Sequence, residues 1–554
     1  MLQTVIETDV VVAGGGLAGV CAARRAAEAG ARVALIDKSR AGTSGPTAFA
    51  AGDILCWFPD EDQLDKWVQA YLGAGEGLNR REWLERFFDG HYRLVQNLAA
   101  GGFPFVRDGQ GAFVRRSGRG PLVRTVLAPM LEFQEQNRAR CLSLGVKVMD
   151  RFCAVEVVMQ DGRPVGVAGF DVYEGRPVFV SAGAVVLSAG GCSYRGPFFG
   201  QDVVAGEGLA MAFEAGAQLA YMEYGNHYNV SLACFDTYGQ SKFMAHGGKY
   251  VNRLGQSFLE NHHALGHRAS GNAAVRAMVE EVRAGRGPVY MDLTGFEDQG
   301  LAGDLMPNLK LSLEKGGISL FTDKHEVIPA FTGTSNGSSA GVWIDKNCQT
   351  SVKGIFAAGD NACKGLVTGA CVGISGVSLA WANYTGHTAG DCAAGHALSG
   401  KSSLRSGEIP GLPERILGPL GRRGGLRPRD VLLALGEEMA RVDVSLIRSE
   451  ARLAASLSRV RSWRNELEAG AGASDPHELV IWYEARSAAS VAEATLLAAL
   501  ERRESRGGHY REDYPEKKAQ FDLVLAVENR DGAKTVRQLK ETGVIYGDGG
   551  KDRP

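Results

Sequence analysis

The sequence predicts an α/β fold in which a parallel-sheet domain is interrupted by an inserted α+β domain and followed by a helical domain. Three observations carry this. Residues 10–37 read strand, glycine-rich turn, helix, strand. The same apolar strand signal returns at 355–360, after a long polar stretch. Residues 430–503 then carry a helical pattern with a break at 470–476.

Val10-Val11-Val12-Ala13 is a short apolar run of the kind that forms a buried parallel strand. Gly14, Gly16 and Gly19 follow as G-x-G-x-x-G, an Ala-rich helical stretch runs from Leu17 to Ala29, and a second strand ends on Asp37. The three glycines do different things. Gly14 permits the tight turn, Gly16 lets backbone amides approach a diphosphate, and Gly19 lets helix and strand pack closely. The helix N-terminus favours phosphate charge, and Asp37 is spaced to meet a ribose. A dinucleotide site is therefore expected here. Residues 38–52, KSRAGTSGPTAFAAG, lack a strand pattern and suit a loop laid against a flat cofactor, which places Lys38, Ser44 and Gly45 on it.

Residues 61–151 read as mostly helical, with one clear helix over 127–145. Strands follow at 152–158 and 164–170, joined by the turn Asp161-Gly162-Arg163. Ala184–Leu187 is another buried strand, ending in Ser188-Ala189-Gly190-Gly191, small residues suited to face a ligand. Residues 219–350 concentrate six of the eleven histidines (227, 246, 262, 263, 267 and 325) and read as an inserted domain with a polar inner face. Ligands commonly sit between such lobes. His263 and His267 are spaced for a metal on one helix face, but Gly266 weakens that helix, and no metal is assigned. A Gly-rich helix entry at 365–377 contains Ser375, and a Gly-, Pro-, Ser- and Arg-rich linker spans 401–429. The expected domains are 1–218 and 351–400 for the interrupted parallel-sheet domain, 219–350 for the insertion, and 430–554 for the helical domain with its tail.

Composition narrows the function. Lys and Arg number 61 against 63 Asp and Glu, which argues against a nucleic-acid or anionic-membrane partner. No apolar window is long enough to span a membrane, and the N-terminal MLQTVIETDVVVAGGG lacks a basic leader, so a cytoplasmic location is expected. The ten cysteines show no C-x-x-C spacing and no iron–sulfur set, and read as buried free thiols.

Four ordered landmarks resemble the flavoprotein subunits of succinate dehydrogenase, fumarate reductase, L-aspartate oxidase and adenylylsulfate reductase. They are the glycines at 14, 16 and 19; Gly206-Glu207-Gly208 with Met211, Ala215-Gly216-Ala217 and Met222-Glu223; Gly354-Ile-Phe-Ala-Ala-Gly-Asp360; and ESRGGHYREDYP at 504–515. The resemblance covers nearly the whole chain. It implies a Rossmann-like FAD-binding domain, an α+β capping domain and a C-terminal helical domain. FAD would be held by Gly14, Gly16, Gly19, Asp37, Lys38, Ser44, Gly45, Ala189, Gly190, Glu207, Asp360 and Ser375. It also implies a two-electron redox enzyme that exchanges electrons with an iron–sulfur or ferredoxin-like partner.

Departures from the family pattern shape the rest. Members with covalent flavin carry a His in the loop after the second strand; here residues 44–51 contain none, so noncovalent FAD is expected. The arginine proton shuttle aligns with Met244, one substrate His with Tyr228, another with Asn336, and the carboxylate-binding Arg is absent around Thr368 to Val372. Succinate, fumarate and aspartate are therefore poor candidates, and another small organic substrate is expected. His246 is assigned proton transfer, with Tyr228 and His227 orienting substrate and Arg268 holding an anionic group. Asn226, Asn336, Arg253 and Thr368 complete the expected substrate contacts. One alternative is a protein like the adenylylsulfate reductase flavoprotein; the other is a non-catalytic electron-transfer flavoprotein.

Overall fold

The computed structural model describes residues 4–196, 200, 202–234, 240–296, 313–399, 407–422, 424–530 and 532–539. A five-stranded parallel sheet forms its centre, in the order Ile355–Ala357, Ala184–Leu187, Val10–Ala13, Val33–Asp37, Lys147–Asp150. Val10, Val11, Val12 and Leu35 have no exposed surface, as expected for strands covered on both faces. Helices Leu17–Glu28 and Val377–Leu398 cover one face. They pack backbone to backbone: a Cβ on Gly386 would stand 2.5 Å from the Ala18 carbonyl oxygen. The other face meets a second sheet built from Thr4–Glu7, Pro177–Ser181, Arg163–Asp171 and Phe152–Gln160. Its long hairpin turns on Asp161 and Gly162, with φ of 50° and 73°, the two left-handed positions that a two-residue hairpin turn requires.

The helical reading of residues 61–151 holds only in part. Helices Leu64–Gly75 and Arg81–Ala100 are present, but Asp53–Leu55, Arg115–Ser117 and Arg124–Leu127 form a three-stranded antiparallel sheet. These strands are only three or four residues long, too short for alternation to register.

The inserted domain carries a four-stranded antiparallel sheet, in the order Asn226–Leu232, His325–Thr334, Val289–Asp292, Lys249–Asn252. Helix Gly271–Arg283 packs on its first strand. Thr332 is the extra residue in a bulge opposite the His227–Tyr228 step. His263 and His267, the pair spaced for a metal, have separate partners: His263 accepts from the Leu265 amide and His267 lies 3.0 Å from Glu260, while neighbouring His262 pairs with Glu280 at 3.1 Å.

Helices Pro428–Ala440, Glu450–Gly470 and Pro476–Glu501 make up the helical domain. The last starts on Asp475, whose carboxylate accepts from the Glu478 amide at 2.8 Å, with Pro476 in the first turn. A C-terminal hairpin, Val524–Arg530 and Ala533–Leu539, then pairs with Leu219–Ala220, a strand pair the sequence pattern did not announce. The tail beyond 539 and residues 401–406 of the expected linker lie outside the described residues. Among the described residues no helix is long and apolar enough to cross a membrane.

Candidate active site

A cleft of about 720 Å³ opens at the C-terminal ends of Val10–Ala13 and Ala184–Leu187, where the strand order reverses. Open α/β sheets bind ligands at this switch point. One end of the cleft is the glycine turn. Gly14 has φ of +106°, and a Cβ there would lie 2.5 Å from the Ser188 backbone. A Cβ on Gly19 would stand 1.7 Å from the Gly14 carbonyl oxygen, so only glycine lets the helix lie this close to the strand. Gly16 differs: among the described residues no atom lies within 4 Å of its Cβ position, and the space in front of it belongs to the cleft. That is the clearance a diphosphate needs.

Asp37 ends its strand at this turn. One carboxylate oxygen accepts from the Gly15 amide at 2.7 Å; the other accepts from the Ser39 amide at 2.8 Å and the Ser44 hydroxyl at 3.0 Å. The carboxylate is thus fixed on the cleft wall, with Lys38, Ser44 and Gly45 beside it. Ala189, Gly190, Glu207 and Asp360 also line the cleft. The Ala189 amide is taken by Asn361 at 2.5 Å, and the Asp360 carboxylate by the buried Lys364 at 2.6 Å. Ser375 is tied instead to Arg119, accepting from its amide at 3.0 Å and donating its own amide to the Arg119 carbonyl at 2.9 Å; Ser378, Leu379 and Ala382 of the following helix line the cleft in its place. The glycine cradle, the fixed Asp37 carboxylate and the open volume before Gly16 fit an adenine dinucleotide.

A charged cluster closes this side. The Glu484 carboxylate, from the longest helix of the helical domain, has no exposed surface and binds Lys38 at 2.6 Å and Arg195 at 2.8 Å; Lys38 also contacts Glu207. Burial alone would raise the Glu484 carboxyl, but the charges of Lys38 and Arg195 outweigh it and hold it below its ordinary value of 4.5. A carboxyl lowered by folding stabilises the native state above its unfolded value and loses that contribution as pH falls through the folded one. Glu484→Gln is accordingly expected to lower the melting temperature at neutral pH. The gap from wild type should close as pH drops below about 4.5. A gap that stays constant on acidification would show that the charge of Glu484 contributes nothing.

The far end of the cleft is walled by His227, Asn229, Thr332, Asn336 and Gly337. His227 is 8 % exposed. Its Nδ1 lies 3.0 Å from the Asn336 carbonyl oxygen, which can only accept, so Nδ1 carries the proton and Nε2 presents a lone pair. The bulged Thr332 sits 3.0 Å from the same Nδ1. Nε2 is buried and has no hydrogen-bond partner among the described residues. Burial, and then the Arg119 charge, push the imidazole down to about 3, so it is neutral at physiological pH.

Several expected substrate contacts lie elsewhere. Tyr228 points to the opposite side of the strand, its hydroxyl donating to the Ala440 carbonyl at 2.9 Å and meeting Ser445 at 2.6 Å. Asn226 shares that side, donating to the Ser445 carbonyl at 3.2 Å and accepting from Thr334 at 2.9 Å. Successive strand residues face opposite ways, so placing His227 and Asn229 in the cleft sends Asn226 and Tyr228 to the helical domain. His246 ends the 3₁₀ turn Gln240–His246 and does not line the cleft. Arg253, on a turn, and Arg268, at the end of the 3₁₀ helix Gly266–Arg268, are exposed and do not line the cleft. Thr368 is buried against Ser339 at 2.8 Å and the Lys364 carbonyl at 3.1 Å. Sequence reasoning passed over Arg119, Arg195, Asn229, Thr332, Lys364 and Glu484. Arg119 and Arg195 sit in irregular segments, where periodicity gives no sign.

The fold and the cleft define an FAD-dependent oxidoreductase. The FAD binding domain model matches residues 9–375 and the fumarate reductase flavoprotein C-terminal model matches 433–544, and the chain belongs to this flavoprotein family. Among relatives, it is 26 % identical to a chain of the CoM/CoB fumarate reductase of Methanothermobacter marburgensis, over 96 % of this chain and 98 % of that one. It is also 26 % identical to the L-aspartate oxidase of Streptomyces coelicolor, over 92 % and 90 %. Its fold matches E. coli quinol fumarate reductase FrdA with a TM-score of 0.87 at 22 % identity, covering 99 % of this chain and 100 % of that one. It matches the adenylylsulfate reductase of Archaeoglobus fulgidus with a TM-score of 0.81 at 20 % identity, covering 98 % and 97 %.

Proposed function

We propose that the chain holds FAD noncovalently and carries out a two-electron oxidation or reduction of a small organic substrate other than succinate or fumarate, exchanging electrons with an iron–sulfur partner. One observation carries the substrate reading. At the positions of the family's dicarboxylate contacts stand a buried Met244, a Tyr228 engaged by the helical domain, Asn336 and Cys371-Val372, none of which can hold or protonate a dicarboxylate as His and Arg do. The noncovalent reading rests on the loop of residues 43–50, which lines the cleft and contains no histidine. An external electron partner is favoured because the ten cysteines lack cluster spacing.

FAD, when bound, supplies the two-electron acceptor or donor. The protein positions the substrate and handles the proton. His227, which lines the far end of the cleft with its ring fixed by Asn336 and Thr332, orients the substrate in this reading. Asn229 and Asn336 bound the same space. Acid precipitation is expected to release the yellow chromophore into the supernatant; colour retained on the washed pellet would exclude noncovalent binding. Anaerobic mixing with a panel of small acids, alcohols and amines should bleach the flavin with at least one of them and not with succinate. Rapid bleaching by succinate would overturn the substrate reading, and bleaching by none would favour a pure electron carrier.

A further inference from the structure

The proposed chemistry makes no use of Lys364. Its side chain has no exposed surface, and its ammonium bonds the Asp360 carboxylate at 2.6 Å, the one ion pair it makes among the described residues. Its backbone is fixed independently of that bond. The Lys364 amide donates to the Ser339 carbonyl at 3.2 Å, and its own carbonyl accepts from the Val367 and Thr368 amides at 2.9 and 3.0 Å. A buried ion pair is a poor source of stability, since apolar side chains of similar volume often do as well. Its place in the fold gives this pair another use. Asp360 lies on the turn that follows the central strand Ile355–Ala357, and it lines the cleft.

The carboxylate is also only half engaged. At Asp37 and Glu207, which line the same cleft, both oxygens are taken: Asp37 by Gly15, Ser39 and Ser44, Glu207 by Lys38 and the Ala205 amide. At Asp360 only Oδ1 is taken, by Lys364; Oδ2 has no hydrogen-bond partner among the described residues. The Asp360 carbonyl accepts from the Ser335 hydroxyl at 2.7 Å, so the residue is held by backbone and side chain while one acceptor stays open. The Lys364 charge reaches further along the wall. After burial and Arg119, it is a third influence that holds the His227 imidazole low.

We infer that Lys364 is a positioning residue for the cofactor: it holds Asp360 by Oδ1 so that Oδ2 accepts from a hydroxyl of bound FAD, and its charge, set against that carboxylate, governs how readily the flavin is reduced. The inference deepens the proposed function and rests on its FAD reading, with Asp360 on the cofactor as the sequence predicts. Reduction adds negative charge to the flavin, so a carboxylate beside it resists reduction and an ammonium favours it. Paired, the two influences largely cancel; removing either partner uncovers the other. The two single changes therefore act with opposite sign, which separates an effect of charge from damage to the fold.

The test titrates cofactor-free protein with FAD and measures the flavin midpoint potential anaerobically against a reference dye. Lys364→Met is expected to weaken oxidised FAD by about tenfold and reduced FAD by about tenfold more, which lowers the potential by about 30 mV. Asp360→Asn should raise the potential by a similar amount. Lys364→Arg keeps the charge and should stay close to wild type. Asp360→Asn combined with Lys364→Met removes both charges and should bring the potential back to near the wild-type value. Circular dichroism of each apoprotein verifies the fold. An unchanged potential in either single variant, or a shift of both in one direction, would overturn the inference. Should Lys364→Met fail to fold or to retain FAD, the other two variants decide: a raised potential in Asp360→Asn that the double variant reverses supports it, and a wild-type potential in Asp360→Asn overturns it. A wild-type protein without flavin is a separate failure, of the FAD reading, and shows in the absorbance spectrum before any variant is made.

Discussion

Gly16→Ala is expected to strip the protein of FAD without lowering the melting temperature of the cofactor-free chain. The backbone at 16 has φ of −68° and ψ of −173°, which alanine adopts freely, and no protein atom lies within 4 Å of the added methyl. The methyl collides with nothing until a diphosphate is present. Affinity for FAD should fall by about tenfold to a hundredfold, measured by the flavin absorbance retained after gel filtration, while the apoprotein melts as wild type does. Gly19→Val makes the contrast. Its Cβ would lie 1.7 Å from the Gly14 carbonyl oxygen, so helix and strand must separate, and both cofactor affinity and apoprotein stability should drop. Full retention of FAD by Gly16→Ala would place the diphosphate elsewhere.

Arg502→Ala should be among the most destabilising single changes in the helical domain. Arg502 has no exposed surface. It binds Glu223 at 2.7 Å and Glu504 at 2.9 Å, and donates to the Phe521 and Leu523 carbonyls at 2.9 Å each. Glu223 and Glu504 are equally buried. Truncation leaves Glu223 without a direct ion-pair partner among the described residues, and breaking a buried pair this way costs about 3–5 kcal/mol. Urea unfolding followed by circular dichroism reads the loss. Combining Arg502→Met with Glu223→Gln should recover a substantial part of it, because the orphaned charge is then gone. A single-variant cost below about 1 kcal/mol would mean that solvent already shares these charges.

The first forty residues were legible because chemistry and spacing coincide there: a four-residue apolar strand, three glycines at fixed intervals, and Asp37 on the next strand's end. The hairpin at Asp161-Gly162 and the helix break before Pro476 were legible for similar local reasons. The substrate end was not. Similarity to the family places residues 226–230 along a strand but does not say which side each occupies, and a bulge at Thr332 sits opposite the residues that matter. His246 stands two positions after Met244 in the same 3₁₀ turn, and neither residue lines the cleft. Arg119 meets Gly373 across 254 positions, and Lys38 meets Glu484 across 446. Such contacts come from topology, and no window of sequence contains them.

The segment ESRGGHYREDYP takes part in the cleft without touching it. Gly507 has φ of +51°, and a Cβ there would stand 2.3 Å from the Ala370 carbonyl oxygen. The Gly508 amide donates to that same oxygen at 2.9 Å. Three residues on, the Gly373 amide bonds the Gly337 carbonyl at 3.1 Å, beside His227. The loop 370–373 is therefore held between two backbones, one from the C-terminal segment and one from the inserted domain. Its thickness is set by peptide units and hydrogen-bond lengths, which side-chain rotation does not alter. The backing of His227 is thus gauged from outside, by a segment more than a hundred residues further along the chain, and one methyl group added at 507 would shift the gauge.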